Sequence, residues 1–302
     1  MSKRISISVS LLLALVLCLG LIPALASSSS PVAENFEFQT YRGVSFGGQL
    51  SAIDPDGDTL SFEITTQPVK GSIELCDDGS FVYTPEDGKK GKDYFGYKAV
   101  DAEGNYSQEA TVIIKLIKQK CDVSYTDMEG SASYCSAIRL AECGAFIGKQ
   151  LDGEYYFEPQ HTVTRGEFLS MCLAATGADL LKGVVSTGFT DDSDIPDWQK
   201  AGVSTAVKNG IVKGYSDANG AHFDAGSEIS RAEAMVMLSR TLQLTDVSYY
   251  DVDGDVPAFA VQAAANLAAC NVISSTTAAA ASLTRAEAAD MLAAAMVLID
   301  GR

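Results

Sequence analysis

A four-residue pattern that returns three times constrains most of what this chain can fold into. Thr164-Arg165-Gly166-Glu167, Ser230-Arg231-Ala232-Glu233 and Thr284-Arg285-Ala286-Glu287 each run into an apolar, helix-forming stretch. Upstream of each stands an aromatic-x-Asp opening: Tyr125-Thr126-Asp127, Phe189-Thr190-Asp191 and Tyr249-Tyr250-Asp251. Between opening and tetrapeptide lies a further helical stretch, ending near Gly144, Gly210 and Asn271. The opening aspartates are about 60 residues apart, the length of one supersecondary unit repeated in tandem. Residues 119–180, 181–245 and 246–302 are therefore expected to form three related helical units.

The tetrapeptide has a physical reading of its own. Ser or Thr followed three residues later by Glu is a capping box, in which the hydroxyl accepts from the N3 amide and the Glu reaches back to the cap amide. Thr164, Ser230 and Thr284 with Glu167, Glu233 and Glu287 are the expected caps, and Val163, Ile229 and Leu283 stand where an apolar staple belongs. The arginine is not explained by capping, because N1 lies at the positive end of the helix dipole. Two partners are open for Arg165, Arg231 and Arg285. One is an anionic ligand, bound bidentately beside free helix N–H groups. The other is the opening Asp of the same or a neighbouring unit.

The first third of the chain follows a different period. Short alternating runs such as Leu60–Ile64, Ser80–Tyr83, Tyr94–Tyr97 and Ala110–Ile114 are separated by Asp56-Gly57, Asp78-Gly79, Asp87-Gly88 and Glu103-Gly104. Strands at such spacing with turn pairs between them predict a β-sandwich over 27–118. The fold class is thus multi-domain α and β, a β-sandwich followed by an all-α part. Ahead of it, Lys3-Arg4, an apolar run from Val9 to Ile22 and Ala24-Leu25-Ala26 read as a secretory signal over 1–26. That run is shorter than the ~20 residues of a spanning helix, so no membrane span is expected after cleavage. A lipoprotein anchor at Cys18 is disfavoured by the bulky Leu17 before it.

Net charge of −17 argues against a nucleic-acid partner, which would need basic clusters. Export permits disulfides among Cys76, Cys121, Cys135, Cys143, Cys172 and Cys270. Cys135 and Cys143 on one helix would lie ~12 Å apart, too far to pair. A reduced set is the alternative.

These residues carry two resemblances. Ala52–Leu60, Gly79–Pro85 and Asp93–Tyr97 make residues 31–118 resemble bacterial cadherin-like, Ig-like domains of surface proteins. The helical units resemble S-layer homology (SLH) domains. The second is the fullest: Phe189-x-Asp191, Trp198, Gly210-Ile211-Val212-x-Gly214-Tyr215-x-Asp217, Phe223 and Ser230–Glu233. In the first unit Gly166 replaces the usual Ala. The third lacks the Gly-Tyr-x-Asp…Phe loop and has Ser274-Ser275-Thr276-Thr277 with an alanine run, which puts Arg285 in doubt. The resemblance implies a pseudo-threefold bundle with grooves between units. It also implies non-covalent anchoring of a secreted protein to the cell wall through secondary cell-wall polysaccharide, often pyruvylated, or a peptidoglycan-linked polymer. A pyruvyl ketal presents a carboxylate, which suits arginine. On this reading Arg231 pairs with that carboxylate, Asp191 orients the groove or accepts sugar hydroxyls, and Trp198 and Tyr215 offer apolar faces to a sugar ring; Asp127, Asp251 and Gly214 complete the polymer-binding set, and Trp198 as plain core is the alternative.

No cofactor is required on this reading, with calcium the exception to weigh. Asp54-x-Asp56-x-Asp58 with Asp101-x-Glu103-x-Asn105 would gather hard oxygen ligands for Ca2+. The alternative is that these residues make turns. An EF-hand is excluded because Thr65 stands at its twelfth position. Bound calcium would make the sandwich a calcium-dependent adhesin for carbohydrate or for other surface proteins. Gly43-Val44-Ser45-Phe46-Gly47 matches a nucleophile-elbow string but sits among strands, with His161 and His222 both in the helical half. No unassigned segment remains for a catalytic domain, so an enzyme, for example a small glycosidase, is the least favoured reading.

Overall fold

A computed structural model describes residues 29–218, 220–248, 252, 255–273 and 276–301. The signal sequence and Asp251 lie outside the described residues.

Nine strands fill the first third: β1 (Val32–Ala33), β2 (Phe36–Tyr41), β3 (Phe46–Gln49), β4 (Ala52–Ile53), β5 (Ser61–Thr66), β6 (Gly71–Leu75), β7 (Ser80–Pro85), β8 (Gly91–Val100) and β9 (Ala110–Ile117). One sheet has the order β2-β9-β8-β5 and the other β3-β7-β6, with β1 and β4 paired separately. Antiparallel pairing prevails, but β2 runs parallel to β9. Alternation places Phe81, Tyr83, Phe95, Tyr97, Val112 and Ile114 in the core between the sheets. Buried Asp93 is kept satisfied there by the amides of Val69 and Lys70 and by the Tyr83 hydroxyl, which all donate to it.

Among the described residues six α-helices follow: α1 (Tyr134–Glu142), α2 (Arg165–Ala175), α3 (Asp197–Lys208), α4 (Arg231–Thr241), α5 (Val261–Ala269) and α6 (Arg285–Asp300). Two small hairpins intervene, β10 (Lys149–Leu151) with β11 (Glu154–Tyr156), and β12 (Tyr215–Asp217) with β13 (Gly220–His222). The helices that follow the tetrapeptides, α2, α4 and α6, carry little one-sided pattern because they are largely buried. Each lies against the first helix of the next unit: α2 on α3, α4 on α5, and α6 back on α1. Gly144, Gly210 and Asn271 stop the first helices with φ of 72°, 71° and 54°, the left-handed turn that follows a helix end.

The residues before the caps close the set with backbone hydrogen bonds. Val163 N donates to Leu283 O (2.9 Å), Leu283 N to Ile229 O (2.9 Å) and Ile229 N to Val163 O (3.0 Å). Their side chains are buried. Three segments distant in sequence are thus tied in a ring at one end of the helical core.

The sandwich is fastened to this core. Tyr41 is buried in the helical cluster and donates its hydroxyl to Glu142 (3.0 Å), and Thr40 Oγ1 contacts Cys135 Sγ at 3.1 Å. Cys76, Cys121, Cys135, Cys143, Cys172 and Cys270 are free thiols, and burial pushes the Cys172 thiol up to about 12. Among the described residues no helix is long and apolar enough to cross a membrane.

Candidate functional site

The site is built from the three capping boxes, each with both reciprocal hydrogen bonds in place. Thr164, Ser230 and Thr284 accept from the amides of Glu167, Glu233 and Glu287, whose carboxylates accept from the cap amides. The first amides of these helices are not free. Arg165 N and Gly166 N donate to Ser227 O and Ala225 O; Arg231 N and Ala232 N to Ala281 O and Ala279 O; Arg285 N and Ala286 N to His161 O and Pro159 O. Every acceptor lies on a loop of the following unit. The open anion site expected at these helix ends is therefore already filled by backbone carbonyls.

The opening aspartates are occupied too. Asp127 accepts from the amides of Phe157 and Glu158, and Asp191 from those of Phe223 and Asp224. These contacts hold Glu158 and Asp224 at φ of 55° and 58°, conformations that β-carbon residues seldom adopt. Asp127 and Asp191 thus shape the loop on which the preceding unit's helix rests, and neither pairs with an arginine as anticipated.

The arginines reach forward instead. Arg165 Nε donates to Phe223 O (3.1 Å) and Nη1 to Glu233 (3.4 Å), with its guanidinium 4.8 Å from the Tyr215 ring centre and 5.3 Å from that of Phe223. Arg285 Nη1 donates to Phe157 O (3.2 Å) and Glu158 (2.6 Å), and lies 5.2 Å from the Phe146 ring. Arg231 pairs with Glu287 through Nε (3.1 Å) and Nη2, and Nη1 donates to Ala278 O (3.2 Å). A capping glutamate therefore serves two helices at once, its own cap and the previous unit's arginine. Spacing within one motif could not reveal this, because the partner sits in the next copy.

Electrostatics follow the pairing. Burial works against charge on Glu233 and Glu287, but hydrogen bonds from Tyr215 and Ser230 to the first, and from Arg231 and Thr284 to the second, hold both carboxyls below the usual range. The Arg285 hydrogen bond does the same for Glu158. Burial and the Glu233 hydrogen bond push the Tyr215 hydroxyl up to about 12.

Accessibility separates the three arginines. Side-chain exposure is 10% for Arg165, 12% for Arg285 and 23% for Arg231. Arg165 is roofed by the β12–β13 hairpin, and Arg285 by Phe146 ahead of the β10–β11 hairpin. Among the described residues the third unit has no hairpin, and Thr277 and Ala278 stand where Phe157-Glu158 and Phe223-Asp224 stand in the other units. Arg231 faces this gap, a groove of about 490 Å³ shared with Met235, Val272, Ile273, Glu287 and Met291. The degenerate third unit thus opens the site of Arg231, whereas the sequence put Arg285 in doubt.

Other expected residues fall elsewhere. Tyr215 belongs to the Arg165 junction, so it does not form one site with Arg231. Trp198 is 65% exposed and is not core. Gly214 has φ 72°, and a β-carbon there would meet the Phe189 ring at 2.5 Å, which makes it a turn residue. Gly166 has a comparable reason: a β-carbon would lie 2.2 Å from Oε1 of buried Gln199, where Ala260 stands at the matching place in the third unit.

The calcium cluster does not assemble as drawn. Asp54 Oδ1 accepts from the amides of Asp56 and Asp58, Asp101 Oδ1 from those of Glu103 and Asn105, and Asp56 from Ser29 N. Turn geometry engages Asp54 and Asp101 within their own loops, while Asp58 and Glu103 are hydrogen-bonded to each other across the two loops. Among the described residues no three ligating side chains converge to hold a metal ion.

Comparison with known proteins divides the chain where its periodicity divides. Residues 28–118 match the bacterial cadherin-like domain and residues 188–235 the S-layer homology domain. A surface-layer 125 kDa protein of Lysinibacillus sphaericus is 29% identical over 160 residues, or 49% of this chain. The match covers only 13% of that relative's length. Solved structures overlap in part: an adhesin of Streptococcus sanguinis (17% identity, 33% of this chain, 62% of that one, TM-score 0.25) and fibronectin(III)-like modules of Clostridium thermocellum (14%, 32%, 51%, 0.23). An endo-fucoidan hydrolase overlaps less of its own length (21%, 31%, 14%, 0.26). At these scores the fold rests on the sheet order above.

Proposed function

We propose that this is a non-enzymatic cell-surface protein that holds itself on the wall non-covalently, through three SLH-type units arranged about a pseudo-threefold axis. The matched domain types are non-catalytic, and both the SLH match and the surface-layer relative point to the cell surface. The cyclic order of the helix contacts and the ring of Val163, Ile229 and Leu283 support the threefold reading.

The ligand on this reading is a secondary wall polymer bearing carboxylates, pyruvyl ketals among them, and its seat is the Arg231 groove. One observation carries the assignment: Arg231 is the most exposed of the three motif arginines and lines a groove of about 490 Å³. A guanidinium offers five N–H donors, and the bonds to Glu287 and Ala278 engage three. Arg231 lines the groove, where a carboxylate can accept the remainder while the half-buried Ile273 and Ala294 meet a sugar's apolar face. The high net negative charge opposes an anionic polymer, but screening over ~8 Å confines that opposition to nearby carboxylates.

Co-sedimentation of the full-length protein with wall sacculi, native and stripped of secondary polymer, tests the proposal. Binding to native sacculi only, weakened by Arg231→Ala and not by Arg285→Ala, is the expected result. Equal binding to stripped sacculi would move the ligand to peptidoglycan. Absence of binding to native sacculi would end the anchoring reading.

A further inference from the structure

We infer that the wall polymer does not stop at the Arg231 groove but continues along α6 into the cleft beneath the β-sandwich, so that the sandwich supplies part of the binding site. The inference rests on the anchoring reading above and adds a second subsite, for neutral hexopyranose units of the same chain.

The cleft is the larger of the two cavities that flank α6, about 510 Å³ against 490 Å³. Asp290 and Ala294 line both, so the two are neighbours on either side of one stretch of α6. From Glu287 in the groove to Val297 in the cleft the helix rises ~15 Å, room for an oligomer rather than a single ring.

The walls have the chemistry of a sugar site. Phe38 and Phe46 come from the edge strands β2 and β3, one from each sheet, and stack at 4.1 Å with 12° between their planes. They close the open side of the sandwich and line the cleft, presenting an aromatic wall. Opposite them lie Ala294 and exposed Val297. Two ion pairs stand at the rim, Arg139 with Asp300 (2.7 Å) and Lys115 with Glu37, one on each domain. Together with the Asp290 carboxylate, which accepts from Ser133, these pairs leave no net attraction for an anion but offer donors and acceptors side by side, as hydroxyl groups require. The Phe38–Phe46 wall sets this subsite apart from the Arg231 groove, which has no aromatic lining, and suits the uncharged part of the polymer. Tyr41, Thr40 and their partners Glu142 and Cys135 fix the two walls relative to each other, so the cleft is preformed.

The test blocks the cleft from either side in the full-length protein and measures binding to native and polymer-stripped sacculi. Val297→Glu does so from exposed helix surface and Gln39→Trp from the sheet face. Val185→Glu, on an exposed loop outside both cavities, controls for added charge. The inference expects each blocking variant to weaken binding to native sacculi by about tenfold or more, with Val185→Glu within about twofold. Wild-type binding by both blocking variants, while Arg231→Ala is weakened, overturns the second subsite and leaves the anchoring reading standing. Wild-type binding by Arg231→Ala as well overturns both. Unchanged melting temperatures identify a weakened variant as blocked rather than unfolded.

Discussion

Arg165 and Arg231 hold the same place in the same tetrapeptide, on helices with the same cap, yet one is sealed and the other faces a groove. Both pair with the capping glutamate of the next unit. The difference lies across the junction. The second unit covers Arg165 with Tyr215 and Phe223, while the third presents Thr277 and Ala278 to Arg231. A motif arginine is thus sealed or open to a groove according to its neighbour, and the shortened unit, which looks like the broken copy, is the one that leaves its partner arginine open.

The sharpest way to break this comparison is to remove each arginine in turn. Arg165→Ala leaves Glu233 without its cation in a largely buried setting and is expected to cost about 3 kcal/mol, read by denaturant unfolding. Arg231→Ala is expected to cost less than about 1 kcal/mol in stability but to weaken wall binding by about tenfold or more. Equal stability losses would mean that exposure does not separate the two roles.

Gly166→Ala comes next. The added β-carbon displaces Gln199, an overpacking expected to cost about 1–2 kcal/mol, and Gln199→Ala should restore most of it. Failure of that rescue would remove the size compensation proposed for this junction. Ser230→Ala should lose about 1 kcal/mol through its cap alone.

The smallest effect is acid sensitivity. Glu158, Glu233 and Glu287 are held below the usual carboxylate range in the folded chain. Their stabilisation is complete above the ordinary Glu value of about 4.3 and is lost as pH falls through the lowered values. Melting temperature should therefore fall with acidification below about pH 4, less steeply in Glu158→Gln. An unchanged slope in that variant would show that the Arg285 pair contributes nothing to it.

Much of the architecture was legible from local chemistry. Capping boxes act within four residues, alternation acts within a strand, and left-handed helix stops act at single positions such as Gly210. Those signals marked the strands, the start points of the three capped helices and the ends of the three helices before them. The site was legible only as three arginines. Which of them faces solvent, and that Asp127 and Asp191 serve backbone amides, depended on segments from neighbouring units meeting in space.

The sequence by itself determined the repeat, the caps and the division into strand and helix, because each is set by interactions between residues close along the chain. Tertiary structure alone decided that Glu233 and Glu287 are shared, that Arg231 is the open one and that the sandwich walls a cleft against α6. Those features arise where one unit's loop covers, or fails to cover, another unit's helix, and burial and pairing across such a junction are properties of both sides together.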